Sequence, residues 1–456
     1  MAARLRWRLR WRLSALWALE WGVTGAILTY IPLYFEENGL SRVQQGQLLA
    51  VAAIGLWVAP FIVGQVCDRW MASEKYLAMA HFLGGVTLLC IPFATEVYRE
   101  TQENFALLLY LVGLYAIAYF PTVPLASALS FRHLPEPDQQ FAGVRIWGTV
   151  GWVLSGLSLS VWLGREDFFD WLHRTLPRFR TQWNSFESAL RWIGEPSSAD
   201  CFRIAAILSF GLSSFCVFLP PTPPTRTARG AVAPLQTLAM FRDRTFTLLI
   251  ILSLVLAVVV SFYTLGVPHL LHARGIQAEW VPAAMTVGQI SEFPALLLMP
   301  LCLKRLGLKR TFALGMLAWV VRYTLFAISR PTALILFGVG LNGVCHVFII
   351  IVIQLFIDER CRADLRTSAQ NLFAFVTAGI GAPLGFILGG AYARYCENDV
   401  TNEMNYPQFF AFPAILVLVL LIVFVVFFRP PPKVDAMETG RGQIATNEND
   451  TASSGN

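Results

Sequence analysis

Two polar side chains, Gln289 and Glu292, interrupt the otherwise apolar stretch 281–300. A helix of about 20 residues crosses a hydrocarbon core of about 30 Å, so this stretch is long enough to span a bilayer. Residues three apart share one face of a helix. A carboxylate at that depth is costly unless it faces a protein interior or a wet cavity. We therefore predict a substrate or proton site at this face. The alternative is a structural hydrogen bond to a neighbouring helix.

A second polar face lies in the segment 144–163, where Arg145, Thr149 and Trp152 follow one another at i, i+4 and i+7. The face offers a guanidinium, a hydroxyl and an aromatic plane. These groups can hydrogen-bond hydroxyls and stack on a flat ring of a polar solute. In the alternative interpretation Arg145 only marks the cytoplasmic end of a membrane helix, and the neighbouring glycines allow close helix packing.

Two further ionisable residues lie inside apolar segments. Glu20 stands in 13–34 with Thr24 one turn later, and His346 follows Asn342 by one turn in 332–356. An intramembrane acid is a proton-site hypothesis, and a histidine can titrate near neutral pH. We expect either residue to share the coupling proton with Glu292. The alternatives are a structural partner for Glu20 near the membrane boundary and a hydrogen-bonded packing role for His346.

Three short motifs resemble those of the nucleoside:proton symporters of the major facilitator superfamily. They are RIWGTVGW at 145–152, QISE at 289–292 and AWVVRY at 318–323. The resemblance implies a transporter in which Arg145, Thr149 and Trp152 contact the nucleoside together with Gln289 and Glu292. It also places Arg322 inside a span, where Glu292 is one candidate partner for its charge.

The chain departs from this family in two spans. Ser261 and Thr264 stand where the nucleoside carriers have Gln and Asn, and both are too short to reach a base edge in the same way. His346-Val347 stands where the family has an aromatic residue followed by Asp, so a candidate coupling carboxylate is missing. We keep Ser261, Thr264 and His346 as expected substrate-binding residues, with His346 a possible replacement for that carboxylate.

These residues need helices that cross a membrane to position them. The chain has 456 residues, of which 56% are hydrophobic and only 14% charged, whereas soluble domains carry about 25% charged residues. Its mean hydropathy is +0.56. The pattern predicts an all-α membrane protein with twelve transmembrane helices, numbered here as spans 1 to 12: 13–34, 44–66, 76–95, 105–129, 144–163, 201–219, 246–271, 281–302, 311–328, 332–356, 367–392 and 407–428.

The spans form two halves of six, as in the major facilitator fold. A Pro-rich break at 220–224 separates them. Such a fold places its binding site at the midplane between the halves. Lys and Arg concentrate in the short loops on the side of the termini, which places both termini in the cytoplasm. We predict an N-terminal half at 1–220, a cytoplasmic linker at 221–245, a C-terminal half at 246–429 and a disordered cytoplasmic tail at 430–456.

The segment 164–200 is an insert between spans 5 and 6. Its apolar residues recur at helical spacing and include three tryptophans, so we expect one or two amphipathic helices on the outer face. Compact members of the family have a much shorter connection here.

No P-loop, catalytic triad or metal-ligand spacing is visible, which favours a transporter over an enzyme and predicts no metal or cofactor. The basic residues lie in membrane loops and are no signal for nucleic acid. We expect a monomeric, multi-pass protein of the plasma membrane, a bacterial inner membrane, that takes up a nucleoside with protons. A proton-coupled carrier of another polar solute, such as a sugar or glycoside, and a non-transporting membrane receptor are the alternatives.

Overall fold

The computed structural model describes residues 7–67, 69–224, 239–360, 366–398, 401 and 403–428. In this part of the chain the regular structure is helical, apart from one isolated bridge between Glu397 and Met404. The prediction of an all-α membrane protein is confirmed. The predicted tail 430–456 and the linker residues 225–238 lie outside the described residues.

The N-terminal half contains spans 1 to 6. Their helices are Trp7–Leu28 and Ile31–Glu37 (span 1), Arg42–Val51, Ile54–Phe61 and the π-helix Ile62–Cys67 (span 2), Ser73–Thr101 (span 3), Phe105–Tyr119 and Thr122–His133 (span 4), Pro137–Leu163 (span 5), and Asp200–Phe215 with the 3-10 turn Cys216–Phe218 (span 6). The insert folds into two helices, Arg165–Thr175 and Arg180–Ile193, joined by the 3-10 turn Pro177–Phe179.

The C-terminal half contains spans 7 to 12. Their helices are Arg244–Ala273 (span 7), Val281–Ile290 (first part of span 8), Glu292–Ile328 (rest of span 8 and span 9), Thr332–Gly340 and Asn342–Arg360 (span 10), Arg366–Ala374, the π-helix Phe375–Gly381 and Ala382–Tyr395 (span 11), and Tyr406–Phe427 (span 12). The 3-10 turns Ala239–Arg242 and Ala278–Trp280 precede spans 7 and 8.

Ten helical segments among the described residues are long and apolar enough to cross a membrane. One of them, Ala278–Ile328, has 51 residues and holds two spans, because at about 1.5 Å per residue it exceeds twice the thickness of a hydrocarbon core. Gly307, with φ of +73°, breaks it between spans 8 and 9. Span 2 is divided into three pieces and supplies the twelfth crossing. The predicted number of spans is therefore confirmed.

Glycines bring spans 1 and 5 into unusually close contact in the N-terminal half. A Cβ at Gly151 would lie 1.9 Å from the carbonyl oxygen of Ala18, and one at Gly25 would lie 2.6 Å from that of Trp152. Small residues permit such an approach where lipid provides no hydrophobic drive for helix association. The packing fixes how the polar face of span 5 is presented beside span 1.

The two halves meet at the end of the bundle opposite the first and last described residues. There, a Cβ at Gly46 of span 2 would lie 2.4 Å from the carbonyl oxygen of Phe386 in span 11. At the same end, the second pair of facing helices is joined as well. The backbone N–H of Ala283 in span 8 donates to Ser160 Oγ in span 5 at 2.8 Å. The halves are thus closed against each other at this end.

Candidate functional site

A cavity of about 270 Å³ lies between the two halves. It is further from the closed end than the contacts of Gly46 with Phe386 and of Ala283 with Ser160. Its volume is near the lower limit of typical ligand pockets. The structure brings seven of the predicted site residues to its wall: Arg145, Thr149, Trp152, Thr264, Gln289, Glu292 and His346. Ser261 and Glu20 are not among the lining residues.

The N-terminal wall is built around Arg145. Its guanidinium lies 4.7 Å from the ring centroid of Trp17 and 4.5 Å from that of Trp21. A cation over aromatic faces is stabilised by the ring quadrupoles, more strongly where water is excluded. Trp21 also contacts Trp152, with ring centroids 5.9 Å apart. Span 1 therefore holds the arginine of span 5 against the cavity.

The N-terminal wall requires a glycine at position 148, one turn after Arg145. A Cβ there would lie 2.7 Å from Arg145 Nη1 and 2.8 Å from the Trp21 ring. Any larger residue would displace the guanidinium or the indole. The glycines of the 145–152 motif thus serve both helix packing and the placement of the charged group.

The C-terminal wall is built on span 8 around Ser291, which separates the helices Val281–Ile290 and Glu292–Ile328. The backbone of Ser291 stays in the right-handed helical region, with φ of −66° and ψ of −14°, so span 8 continues through this position. Span 10 packs against it, since the Gly343 backbone N–H donates to Ser291 Oγ at 2.8 Å. A Cβ at Gly343 would lie 2.1 Å from the Ser291 carbonyl oxygen. Gln289 and Glu292 line the cavity from positions on either side of Ser291.

Arg322 does not pair with Glu292, contrary to one expectation from the sequence. Its Nη1 donates to Asn342 Oδ1 at 2.9 Å, and its guanidinium lies 3.9 Å from the centroid of Tyr263. Both of these partners line the cavity. Arg145, from the opposite half, lines the same cavity as Glu292.

The two family departures on span 7 have different positions. Thr264 lines the cavity. Ser261 is 1% exposed and donates to the Ala382 carbonyl oxygen at 3.0 Å. Its hydroxyl therefore lies between spans 7 and 11, on the side of span 7 that faces its own half.

Glu20 is fully buried within the N-terminal half. Its Oε2 lies 2.9 Å from His81 Nε2, and its Oε1 accepts from Thr122 Oγ1 at 2.5 Å. Tyr119 donates to the Glu20 carbonyl oxygen, and His81 Nδ1 contacts Ser209 Oγ at 3.1 Å. These bonds connect spans 1, 3, 4 and 6 and leave no side of the carboxylate facing the cavity.

Eight lining residues were not assigned to the site from the sequence, among them Trp21, Tyr263 and Asn342. The sequence could have indicated a site role for Asn342, because this polar residue lies one turn before His346 in an apolar span. It could not have indicated one for Trp21 or Tyr263, since an aromatic residue in a membrane helix is equally compatible with lipid contact. No group of three or more His, Cys, Asp or Glu side chains that could hold a metal ion occurs among the residues that the structure describes.

The comparisons with known proteins agree with this architecture. The family model described as nucleoside H+ symporter matches residues 7–175 and 193–433. The chain is 27% identical over 430 residues to a protein of Escherichia coli named putative nucleoside transporter YegT. The match covers 91% of this chain and 93% of that protein. It is 24% identical over 435 residues to the nucleoside permease NupG of Escherichia coli, with the same coverage.

A crystal structure of a mutant of the nucleoside transporter NupG superposes with a TM-score of 0.77 at 23% sequence identity. The match covers 92% of this chain and 100% of that chain, and it shows that the fold is shared. The chain therefore belongs to the nucleoside H+ symporter family, and it is a multi-pass membrane transporter with the major facilitator fold rather than an enzyme.

Proposed function

We propose that the protein takes up a nucleoside together with a proton by alternating access between its two halves. The observation that carries this proposal is the composition of the cavity between the halves. Span 5 contributes Arg145, Thr149 and Trp152 from one side, and span 8 contributes Gln289 and Glu292 from the other. A solute bound across them would contact both halves and move with them.

The pair Arg145 and Glu292 offers a mechanism for coupling. While Glu292 is ionised, its charge attracts Arg145 across the cavity. A proton on Glu292 removes that attraction and converts the carboxylate into a hydrogen-bond donor. The guanidinium is then free to bind an uncharged polar solute. Proton binding would thus prepare the cavity for its cargo.

The remaining side chains suit the two parts of a nucleoside. The Thr149 hydroxyl and the Gln289 amide can each donate and accept, as ribose hydroxyls and base edges require. Trp152 and Tyr263 offer aromatic planes on opposite sides of the cavity. A stacked base would gain both area burial and favourable ring geometry.

Glu292 is the proton carrier that we favour, because it lines the cavity. His346 lines it as well and can share the proton in place of the missing carboxylate on span 10. Glu20 is enclosed by hydrogen bonds to neighbouring spans, so we assign it a structural role.

We also propose the orientation and setting of the protein. Positive residues near the termini favour a cytoplasmic location for both ends, which makes the closed end of the bundle the outer one. The cavity would then be accessible from the cytoplasmic side in this conformation. A monomer in a bacterial inner membrane, with solute and protons as ligands, fits this picture.

One observation favours a second candidate, a proton-coupled carrier of a sugar or glycoside. Span 7 presents only the short Thr264 to the cavity, and Ser261 faces span 11. Hydrogen bonds to a base edge would then have to come from spans 8 and 10. A cargo rich in hydroxyl groups places smaller demands on span 7.

Uptake into proteoliposomes of the purified protein tests both candidates. An imposed gradient, acidic outside, should drive accumulation of a radiolabelled nucleoside, and an uncoupler should abolish it. Excess unlabelled nucleosides should compete and sugars should not. Competition by sugars alone would favour the second candidate. A protein that binds solute without moving it would be a receptor.

A further inference from the structure

An apolar cavity lies inside the N-terminal half, beside the cavity between the halves, and we name it the apolar chamber. Its volume is about 90 Å³. Spans 1, 2, 3, 4 and 6 each contribute to its wall, and apart from Thr24 its lining side chains are aliphatic or aromatic. The Thr24 hydroxyl is hydrogen-bonded to Tyr119 Oη, which donates to the Glu20 carbonyl oxygen. The wall therefore presents mainly hydrocarbon to the space it encloses.

Leu28 separates this chamber from the cavity between the halves. Among the residues that the structure describes, it is the one that lines both spaces. Leu28 is the last residue of the first helix of span 1. On the same helix Trp21 lines the cavity and Thr24 lines the chamber, so Leu28 stands where the two walls meet.

The backbone that carries Leu28 is held in place by its neighbours. Gly25, one turn earlier, packs against span 5, where a Cβ would come within 2.6 Å of the Trp152 carbonyl oxygen. Thr29 Oγ1 donates to the Gly25 carbonyl oxygen at 2.9 Å. The barrier between the two spaces is therefore the Leu28 side chain rather than the course of the helix.

The chemistry of the chamber favours an apolar group. A hydroxyl or amino group that moved there from water would lose hydrogen bonds that a hydrocarbon wall does not replace. An alkyl group would instead gain hydrophobic transfer and van der Waals contacts. Since an apolar cavity of about 150 Å³ can bind benzene, the chamber, at about 90 Å³, suits an alkyl chain of a few carbons.

We propose that Leu28 is a specificity-determining residue, whose side chain excludes cargo with an apolar substituent by closing off the chamber. This inference rests on the proposed function, because it concerns the solute that binds across Arg145 and Glu292. With a smaller residue at position 28, the cavity and the chamber become one space that is polar at one end and apolar at the other. Leu28 and the chamber belong to the same half, so the barrier is present whichever side of the membrane the cavity faces.

Competition against a radiolabelled nucleoside, measured on the purified protein, tests this proposal. The competitors are the unlabelled nucleoside and its derivatives with a butyl group on the base or on the 5′ oxygen. In the parent protein no derivative should bind more tightly than the nucleoside. In Leu28→Ala at least one derivative should, by up to about fourfold for each methylene that the chamber buries. Leu28→Met should behave as the parent does, because Met occupies a similar volume.

Leu88→Ala is the matched control. Leu88 lines the chamber from span 3 and does not line the cavity, so this variant enlarges the chamber by the same atoms without opening it. It should keep the preference of the parent. An unchanged preference in Leu28→Ala, or an equal change in Leu88→Ala, overturns the proposal. If Leu28→Ala does not fold, Leu28→Val takes its place under the same criteria.

A second measurement separates this inference from the proposed function. Val112 lines the chamber, and Val112→Cys is made in a background whose native cysteines are replaced. Its reaction with methyl methanethiosulfonate, followed by mass spectrometry, should be faster with Leu28→Ala than with Leu88→Ala, because only the former joins the chamber to the cavity. If no nucleoside binds the parent protein, the proposed function fails and the cysteine result alone decides the role of Leu28. Equal rates in the two variants then overturn that role.

Discussion

Arg145 and Glu292 line the same cavity from opposite halves of the molecule. The Arg145 guanidinium packs on two tryptophans of its own half, and Glu292 follows Ser291 in span 8. Because the two residues lie on opposite sides of the cavity, protonation of Glu292 would change the electrostatic interaction between the two halves.

Trp17 should strengthen solute binding without touching solute. It packs on Arg145 and does not line the cavity. A cation–π contact contributes about 0.5–2 kcal/mol, so Trp17→Leu should weaken binding by about 2- to 30-fold. Equilibrium binding of a radiolabelled nucleoside to purified protein measures this. Trp319→Leu is the matched control, a buried tryptophan of the other half that does not contact Arg145. Equal losses in both variants would mean that Trp17 acts only through general stability.

Gly46 should be required for closure of the outer end. A Cβ there would lie 2.4 Å from a backbone oxygen of span 11, which cannot move aside as a flexible side chain could. Gly46→Val should therefore hold the halves apart and abolish net uptake, while the folded protein still binds solute. Gly211→Val is the control, since an added Cβ meets nothing within 4 Å there. Normal uptake by Gly46→Val would show that transport does not need this contact.

The Glu20–His81 pair should stabilise the N-terminal half. Both side chains are fully buried, and a buried polar group left without its hydrogen-bond partner costs about 1–3 kcal/mol. Glu20→Gln and His81→Gln should each lower the melting temperature strongly, whereas the double variant should lose less than the two single losses combined. Thermal unfolding in detergent measures this. A Glu20→Gln protein of normal stability that has lost proton-driven accumulation would instead assign Glu20 to coupling.

The insert 164–200 should be dispensable for transport, because added loop length is thermodynamically cheap. Its ends are anchored, since Arg165 is buried against Trp162 and Asp200 accepts from the same indole at 2.7 Å. The cleanest variant replaces only 176–192, the residues outside the family match, with a short Gly/Ser linker. Uptake should stay close to normal. Loss of uptake by protein that inserts normally would show that these residues gate or recruit solute.

The sequence predicted the parts of the site that local periodicity controls. Arg145, Thr149 and Trp152 share a face because a helix repeats every 3.6 residues, and all three line the cavity. It did not place Ser261, because the orientation of span 7 is set by its packing on Ala382 of span 11. It did not find His81 as the partner of Glu20 either, since 61 residues separate them and only the packing of spans 1 and 3 joins them.

Spans were predicted more reliably than their interruptions. Hydrophobic length alone indicates where the chain crosses the membrane. Ser291 lies in close contact with Gly343 of span 10, and no pattern within span 8 reveals this contact. The partner of Arg322 was likewise set by span 10, through Asn342, and not by Glu292 on span 8.

The most direct test of the account is the behaviour of Glu292→Gln in proteoliposomes with and without an imposed pH gradient. A neutral Gln mimics the protonated acid, so the halves can still move around bound solute while no proton is exchanged. We predict that proton-driven accumulation is abolished and that downhill exchange of nucleoside is partly retained. Glu279→Gln, an acid just before the same span, should accumulate nucleoside normally. If Glu292→Gln still concentrates nucleoside against its gradient, Glu292 is not the coupling residue and the central claim is wrong.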